Sequence, residues 1–147
     1  MTKSEMIDAI ENAKLIHLEQ MKKIESEIAG IKIKNPTPPG KMDCECGIWF
    51  NNHKQIMQDI LGMQIYNRLD VSHEKWHHDY INIYNLFFKE EKKGVFSKLF
   101  GLGEDDEMIR DKAKIYYQDL QKDTEELFRI SDSALRRIGA LSDSKFR

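Results

Sequence analysis

Three histidines occupy positions from which their side chains could reach one metal ion. His17 lies on the apolar stripe of a predicted first helix, and His73 and His77 lie on the stripe of a later helix. A spacing of four residues places two imidazoles one turn apart on the same helix face. Cys44 begins another predicted helix, directly after a proline-rich segment. Three neutral imidazoles and one thiolate would complete a tetrahedral shell for Zn²⁺.

The remaining histidines and the second cysteine are the alternatives. His78 points about 100° away from His77 around the helix, and His53 lies in a polar stretch, so we expect both at the surface. Cys46 rivals Cys44 as a ligand, and a disulfide between these two would be strained. A single buried histidine is more often a hydrogen-bonded core residue than a ligand. Three such positions beside a cysteine are harder to explain without a metal, because an unpaired buried polar group costs about 1–3 kcal/mol.

The segment 44–49 reads Cys-x-x-Gly-x-Trp and resembles the signature of the chemoreceptor zinc-binding (CZB) domain family. The family also has a histidine in an Ala-Lys-x-x-His-Leu context on its first helix, which here is residues 13–18. Its third motif is His-x-x-x-His, which here is residues 73–77. All three motifs occur in the family's order, and the resemblance covers about residues 10–90.

The resemblance implies that His17, Cys44, His73 and His77 bind one Zn²⁺, with Cys44 rather than Cys46 as the thiolate ligand. It also implies a sensory or regulatory module that responds to zinc, or to oxidation of the thiolate, for example by hypochlorous acid. CZB domains are commonly attached to chemoreceptors or diguanylate cyclases, so a signalling protein of that kind, acting in chemotaxis, is an expected partner.

Three positions depart from the family pattern, and one of them is Cys46, which stands where the family usually has an apolar residue. Gln20 stands where the family often has tryptophan, and Ile48 stands where lysine is frequent. Neither is a ligand position. Residues 94–147 lie outside the resemblance.

Apolar periodicity predicts an all-α fold, a four-helix-bundle-like domain with a long C-terminal helix. Helices are predicted over residues 4–29, 44–61, 72–92 and 104–141. Residues 31–41 hold all three prolines and predict a linker, and residues 92–103 predict a hinge or short helix. We therefore divide the chain into a CZB-like zinc-binding region, 1–93, and a segment 94–147 that completes the bundle or a dimer interface.

The predicted last helix is longer than the helices it could pack against. Either it breaks near residues 131–133, where serine and aspartate favour helix ends, or it projects beyond the bundle. Its stripe includes Leu127, Ala134, Ile138 and Leu141. Apolar surface of that extent is unfavourable in a monomer, so we expect a homodimer.

Composition narrows the function further. The chain has 147 residues, with 23 Lys and Arg against 25 Asp and Glu, so its net charge of -2 argues against nucleic-acid binding. It has no membrane-length apolar run and no signal peptide, so we expect no membrane association and a cytoplasmic location.

A closed zinc shell lacks the open position that catalysis requires, so we expect that the protein is not an enzyme. The alternatives are a hemerythrin-like di-iron, oxygen-binding bundle, which needs more histidines and bridging carboxylates, and a bundle in which zinc is purely structural.

Overall fold

The computed structural model describes residues 1–89 and 106–146, and all regular secondary structure within these ranges is helical. The α-helices are α1 (Lys3–Ile28), α2 (Glu45–Asn52), α3 (Lys54–Tyr84) and α4 (Asp106–Ala140). Short 3₁₀ turns cover Lys41–Asp43 and Asp143–Phe146, and a π-helical turn over Asn85–Lys89 follows α3. The predicted all-α bundle with a long C-terminal helix is confirmed.

The three long helices pack side by side, with α4 antiparallel to both α1 and α3. Lys3, at the start of α1, donates hydrogen bonds to carbonyl groups of Gly139 and Leu141 at the end of α4. Farther along, Lys14 pairs with Asp132 at 2.5 Å. The segment between α1 and α3, including α2, therefore returns along the bundle so that α1 and α3 run parallel.

The first helix closely matches the predicted 4–29. Thr2 caps it: its hydroxyl accepts a hydrogen bond from the Glu5 backbone N–H, and its own N–H donates to the Glu5 carboxylate at 2.7 Å. This reciprocal pair stabilises the first turn. Gly30, at φ +88°, follows the helix in the left-handed conformation that glycine adopts readily.

The predicted helices 44–61 and 72–92 divide this part of the chain at the wrong residues, except that the predicted end at residue 61 meets a kink at Gly62. α2 ends at Asn52, and α3 begins two residues later and continues through Ser72, which is a buried interior residue. The helix continues because no glycine or proline occurs between Met63 and Tyr84. Gly62 does interrupt the helical backbone, with φ +79° and ψ 156°, but it makes a kink rather than an end.

The last helix is continuous through residues 131–133, so the predicted alternative break is absent. Ser131 and Ser133 donate their hydroxyl hydrogens to carbonyl groups four residues earlier, which keeps both inside the helix. Leu127, Ala134 and Ile138 are buried within the chain and Leu141 is half-buried, so most of the stripe that was expected to lie uncovered is covered by the chain itself. The reason is that α3, at 31 residues, is long enough to cover α4.

The core contains large side chains from all three long helices. The largest fully buried ones are Trp76, Tyr80, Met6, Ile24, Met57, Leu61, Ile83, Leu120 and Ile138. In the described ranges, no helix is both long and apolar enough to cross a bilayer. The predicted hinge at 92–103 and the boundary at 93/94 lie outside the described residues.

Candidate metal centre

The bundle brings together the side chains of His17, His73 and His77, which we term the histidine cluster. His17 comes from α1, and His73 and His77 lie one turn apart on α3. All three are buried, with relative exposures of 5%, 7% and 3%. One potential ligand atom from each lies within 4.8 Å of the other two. The geometry therefore permits all three rings to hold a single metal ion.

Backbone carbonyl groups orient two of these rings. His17 Nδ1 lies 2.8 Å from the Ala13 carbonyl oxygen, and His77 Nδ1 lies 3.2 Å from the Pro39 carbonyl oxygen. A carbonyl only accepts, so each Nδ1 carries the proton and each Nε2 presents its lone pair. This is the arrangement in which protein histidines bind metals. Burial, helped by the nearby His73, also lowers the pKa of His17 to about 4, which keeps the ring neutral.

Cys44 lies next to the histidine cluster. Its Sγ is 3.4 Å from His73 Nε2, which is itself 3.1 Å from His77 Nε2. Cys44 is not within 4.8 Å of every member of the group, so the mutually close set consists of the three histidines. Nitrogen lone pairs and a sulfur that converge in this way need a proton or a cation between them. The donor set therefore fits a metal ion that accepts nitrogen and sulfur ligands.

Cys44 is the residue directly before helix α2, and its sulfur caps the helix by accepting a hydrogen bond from the Gly47 N–H at 3.3 Å. A hydrogen bond from the Cys46 thiol is the largest cause that holds the pKa of Cys44 far below its ordinary value. The rings of His73 and His77 act in the same direction, and burial opposes them. The same hydrogen bond raises the pKa of Cys46. The directions of these two pKa shifts favour Cys44 as the thiolate of the pair and Cys46 as the thiol.

Gly47 allows the chain to turn back closely against α2. A Cβ atom built at this position would lie 1.9 Å from the Lys41 carbonyl oxygen, which is well inside van der Waals contact. Glycine is therefore required for the Lys41–Asp43 turn to lie against the helix that Cys44 caps. This contact gives a physical reason for glycine three residues after the cysteine.

The proline-rich segment, predicted as a linker, forms one wall of the site. Thr37 is buried, and its carbonyl accepts a hydrogen bond from the Tyr80 hydroxyl at 3.0 Å. Its own hydroxyl donates to Gln20 at 2.7 Å, and the neighbouring Pro39 carbonyl orients His77. Sequence reasoning missed these contacts. The available signal was that prolines leave carbonyl groups without helical partners, free for side chains to use.

The remaining histidines lie outside the cluster. His78 is exposed, as predicted. His53 is half-buried rather than a surface residue, because its ring stacks on Trp49 with centroids 4.5 Å apart. Cys46, the rival ligand, is also half-buried.

Trp76 supports the histidine cluster from the core. Its ring is fully buried and meets the His17 ring edge to face, with centroids 5.0 Å apart. Its indole N–H donates to the Thr124 hydroxyl at 2.8 Å, and that hydroxyl donates in turn to the Leu120 carbonyl. A polar contact between α3 and α4 thereby fixes a ring that packs on α1.

Comparisons with protein-family models, with curated proteins and with solved structures gave no match. The resemblance to the CZB family therefore remains a prediction based on its three motifs.

Proposed function

We propose that this chain binds one Zn²⁺ through His17, Cys44, His73 and His77 and acts as a sensory or regulatory module. The observation that supports this most directly is the convergence of three buried imidazoles, two of them oriented by backbone carbonyl groups, beside a cysteine whose pKa is lowered. Zinc accepts both nitrogen and thiolate ligands, and four such ligands make the closed shell of a non-catalytic site.

The proposed site would couple three parts of the fold. His17 belongs to α1, Cys44 caps α2, and His73 and His77 belong to α3. A shared ion would fix the distances between these elements, and loss of the ion would shift the population toward states in which they are less constrained. Zinc occupancy is therefore the first proposed input, and the position of α1 is the proposed output.

Oxidation of the Cys44 thiolate is the second proposed input. Hypochlorous acid converts a thiolate to sulfenic acid and releases chloride, which carries away the two electrons lost by sulfur. Sulfenic acid is a poorer ligand than thiolate, so we expect oxidant to release zinc. A chromogenic chelator measures that release. If zinc stays bound until the protein unfolds, the oxidation input is wrong and zinc sensing remains.

Ligand substitutions test the zinc site. Changing any of His17, Cys44, His73 or His77 to alanine should lower zinc affinity by at least about tenfold, measured by competition with a chelator of known affinity. His78→Ala is the matched control because it removes an exposed imidazole next to His77, and it should leave affinity unchanged. Stoichiometric zinc in Cys44→Ala with loss in Cys46→Ala would contradict the choice of thiolate.

A di-iron centre is less well supported. Such centres need bridging carboxylates, and within the described ranges no Asp or Glu joins the histidine cluster. Glu74, the nearest acidic residue in sequence, is exposed and lies 3.9 Å from Lys41. Elemental analysis of the purified protein decides between the two, since two iron atoms per chain would favour the oxygen-binding alternative.

The expected homodimer, the cytoplasmic location and the partnership with a chemoreceptor or diguanylate cyclase remain part of this proposal. The dimer now depends on the CZB resemblance alone, because Leu127, Ala134 and Ile138 are covered within one chain. Light scattering at tens of micromolar tests it, and a monomer under those conditions would remove it.

A further inference from the structure

A mainly apolar cavity adjoins the histidine cluster and is lined by two of its three members. Its volume is about 280 Å³, and its wall includes the rings of His17 and His73. The side chains that supply its apolar surface come from all four helices and are Ile10, Trp49, Phe50, Leu69, Leu127 and Phe128. We term this space the aromatic cavity.

The one lysine and the one serine of the aromatic cavity's lining are already paired, and the remaining charged group there is the exposed carboxylate of Glu45. Lys14 lies 2.5 Å from Asp132 and 5.5 Å from the centre of the Phe128 ring. Ser131 donates its hydroxyl hydrogen to the Leu127 carbonyl. An anionic ligand would lose its hydration, would find Lys14 already paired and would face the carboxylate of Glu45. Burial against a mainly apolar wall also costs a cation its hydration, so the wall favours an uncharged molecule.

The size and the aromatic wall indicate the shape of the ligand. An apolar cavity of about 150 Å³ lined by aliphatic and aromatic side chains holds benzene. The aromatic cavity, at about 280 Å³, is larger and can therefore hold either a single aromatic ring or two fused rings. Aromatic side chains such as Trp49 and Phe128 favour offset or edge-to-face contacts with another ring.

We propose that the aromatic cavity binds a small uncharged aromatic molecule of one or two fused rings. Binding at this site does not depend on the proposed zinc function. His17 and His73 also belong to the proposed zinc site, so the ligand should couple to zinc binding, and this second step does rest on the proposed function. Coupling of this kind typically changes affinity about fivefold or more.

Calorimetric titration of the full chain with indole tests the binding. We expect saturable one-to-one binding both in the presence of a zinc chelator and with zinc. Indole-3-carboxylate should bind at least about tenfold more weakly because its charge has no free partner. Titration with toluene tests a single ring in the same way. The proposal would be overturned if neither indole nor toluene bound saturably, or if indole-3-carboxylate bound as tightly as indole.

Leucine substitutions that fill the aromatic cavity can be compared with a leucine substitution far from it. Ala9 and Ala13 both line it and are half-buried on α1. Ala13→Leu should weaken indole binding at least about tenfold by occupying the space, and Ala9→Leu serves the same purpose if the first variant does not fold. Ala140→Leu, at an exposed position at the end of α4, should leave binding unchanged. Wild-type affinity in folded Ala9→Leu or Ala13→Leu would contradict the assigned site.

A spectroscopic readout locates the ligand without altering the wall. The chain has two tryptophans, Trp49 in the cavity wall and Trp76 in the core. Indole should shift the side-chain N–H resonance of Trp49 more than that of Trp76, with Trp49→Phe used for assignment. A larger shift at Trp76 would place the ligand elsewhere. If indole binds at the cavity but zinc affinity does not change, the coupling is wrong and the binding site stands.

Discussion

At the scale of single residues, the histidine cluster depends on groups that are not ligands. The Ala13 and Pro39 carbonyl oxygens fix the protons of His17 and His77 on Nδ1. The Gly47 N–H donates to the Cys44 sulfur. Each contact helps to set which atom faces the cluster, so a substitution at a position that supplies no ligand atom should alter metal binding.

Gly47→Ala should weaken zinc binding and destabilise the fold by about 1–3 kcal/mol, because overpacking costs that much. The added Cβ would overlap the Lys41 carbonyl oxygen, and relief of this overlap must move either the turn or the start of α2. Chelator competition and urea unfolding measure the two effects.

Gly139→Ala is the control for that substitution. A Cβ at Gly139 meets nothing within 4 Å, and the position is exposed in a helix. It should raise stability by about 0.5–1 kcal/mol and leave zinc affinity alone. Equal behaviour of the two variants would show that the close approach at Gly47 has no role in the site.

At the scale of helices, contacts from α4 hold the α3 side chains that face the site. Trp76 and Thr124 form the central contact, and Lys75 forms ion pairs with Asp79 at 2.7 Å and Asp123 at 2.6 Å. In the sequence, Trp76 lies between His73 and His77. Its partner lies 48 residues away, beyond the reach of any local pattern.

Thr124→Val should destabilise the chain by about 1–3 kcal/mol, since it leaves the buried Trp76 N–H without a partner while keeping the side-chain shape. Chemical unfolding monitored by circular dichroism measures the loss. Thr124→Ser keeps the hydroxyl and should retain most of the hydrogen-bond contribution. A valine variant as stable as the serine variant would argue against this contact.

The helices also differ in how well the sequence predicts them. Periodicity located α1 and α4 because their apolar stripes are long and their ends carry clear signals at Gly30 and at the acidic residues before Ile109. Sequence reasoning wrongly placed the start of a helix at Ser72, because serine is common at helix starts and also occurs as a buried residue inside helices. The three histidines were found by their helix face and spacing, and Cys44 by its place at a predicted helix start and by the resemblance to the CZB family. The wall formed by Thr37 and Pro39 was not, because an extended segment has no periodicity.

At the scale of the whole molecule, one buried acid opposes folding at neutral pH. Glu27 is buried near the end of α1, and neither carboxylate oxygen has a hydrogen-bond partner in the described part of the chain. Burial raises its pKa to about 7 from 4.5, although Lys23 acts in the opposite direction. Between these values the folded chain binds more protons than the unfolded chain, so the free energy of unfolding rises as pH falls from 7 to 4.5.

Glu27→Gln should therefore stabilise the protein by about 1 kcal/mol at pH 8 and flatten the dependence of stability on pH between about pH 5 and 7. Thermal unfolding across that range measures both effects. Glu19→Gln, an exposed change on the same helix, should do neither. A wild-type slope in Glu27→Gln would assign the pH dependence to another group.

Removal of zinc separates a sensor from a purely structural site. Without the ion, α1 still contributes Met6, Ile10, Met21 and Ile24 to the core, and Lys14 still pairs with Asp132. We therefore expect the zinc-free chain to remain folded, and zinc at 100 times its Kd to add about 2.7 kcal/mol of stability. Hydrogen exchange should then show faster exchange around His17 and in residues 37–47, and unchanged protection where α3 packs on α4. Global unfolding on chelation would instead make the ion a structural requirement of the fold, because a site whose loss unfolds the chain has no second folded state to report zinc.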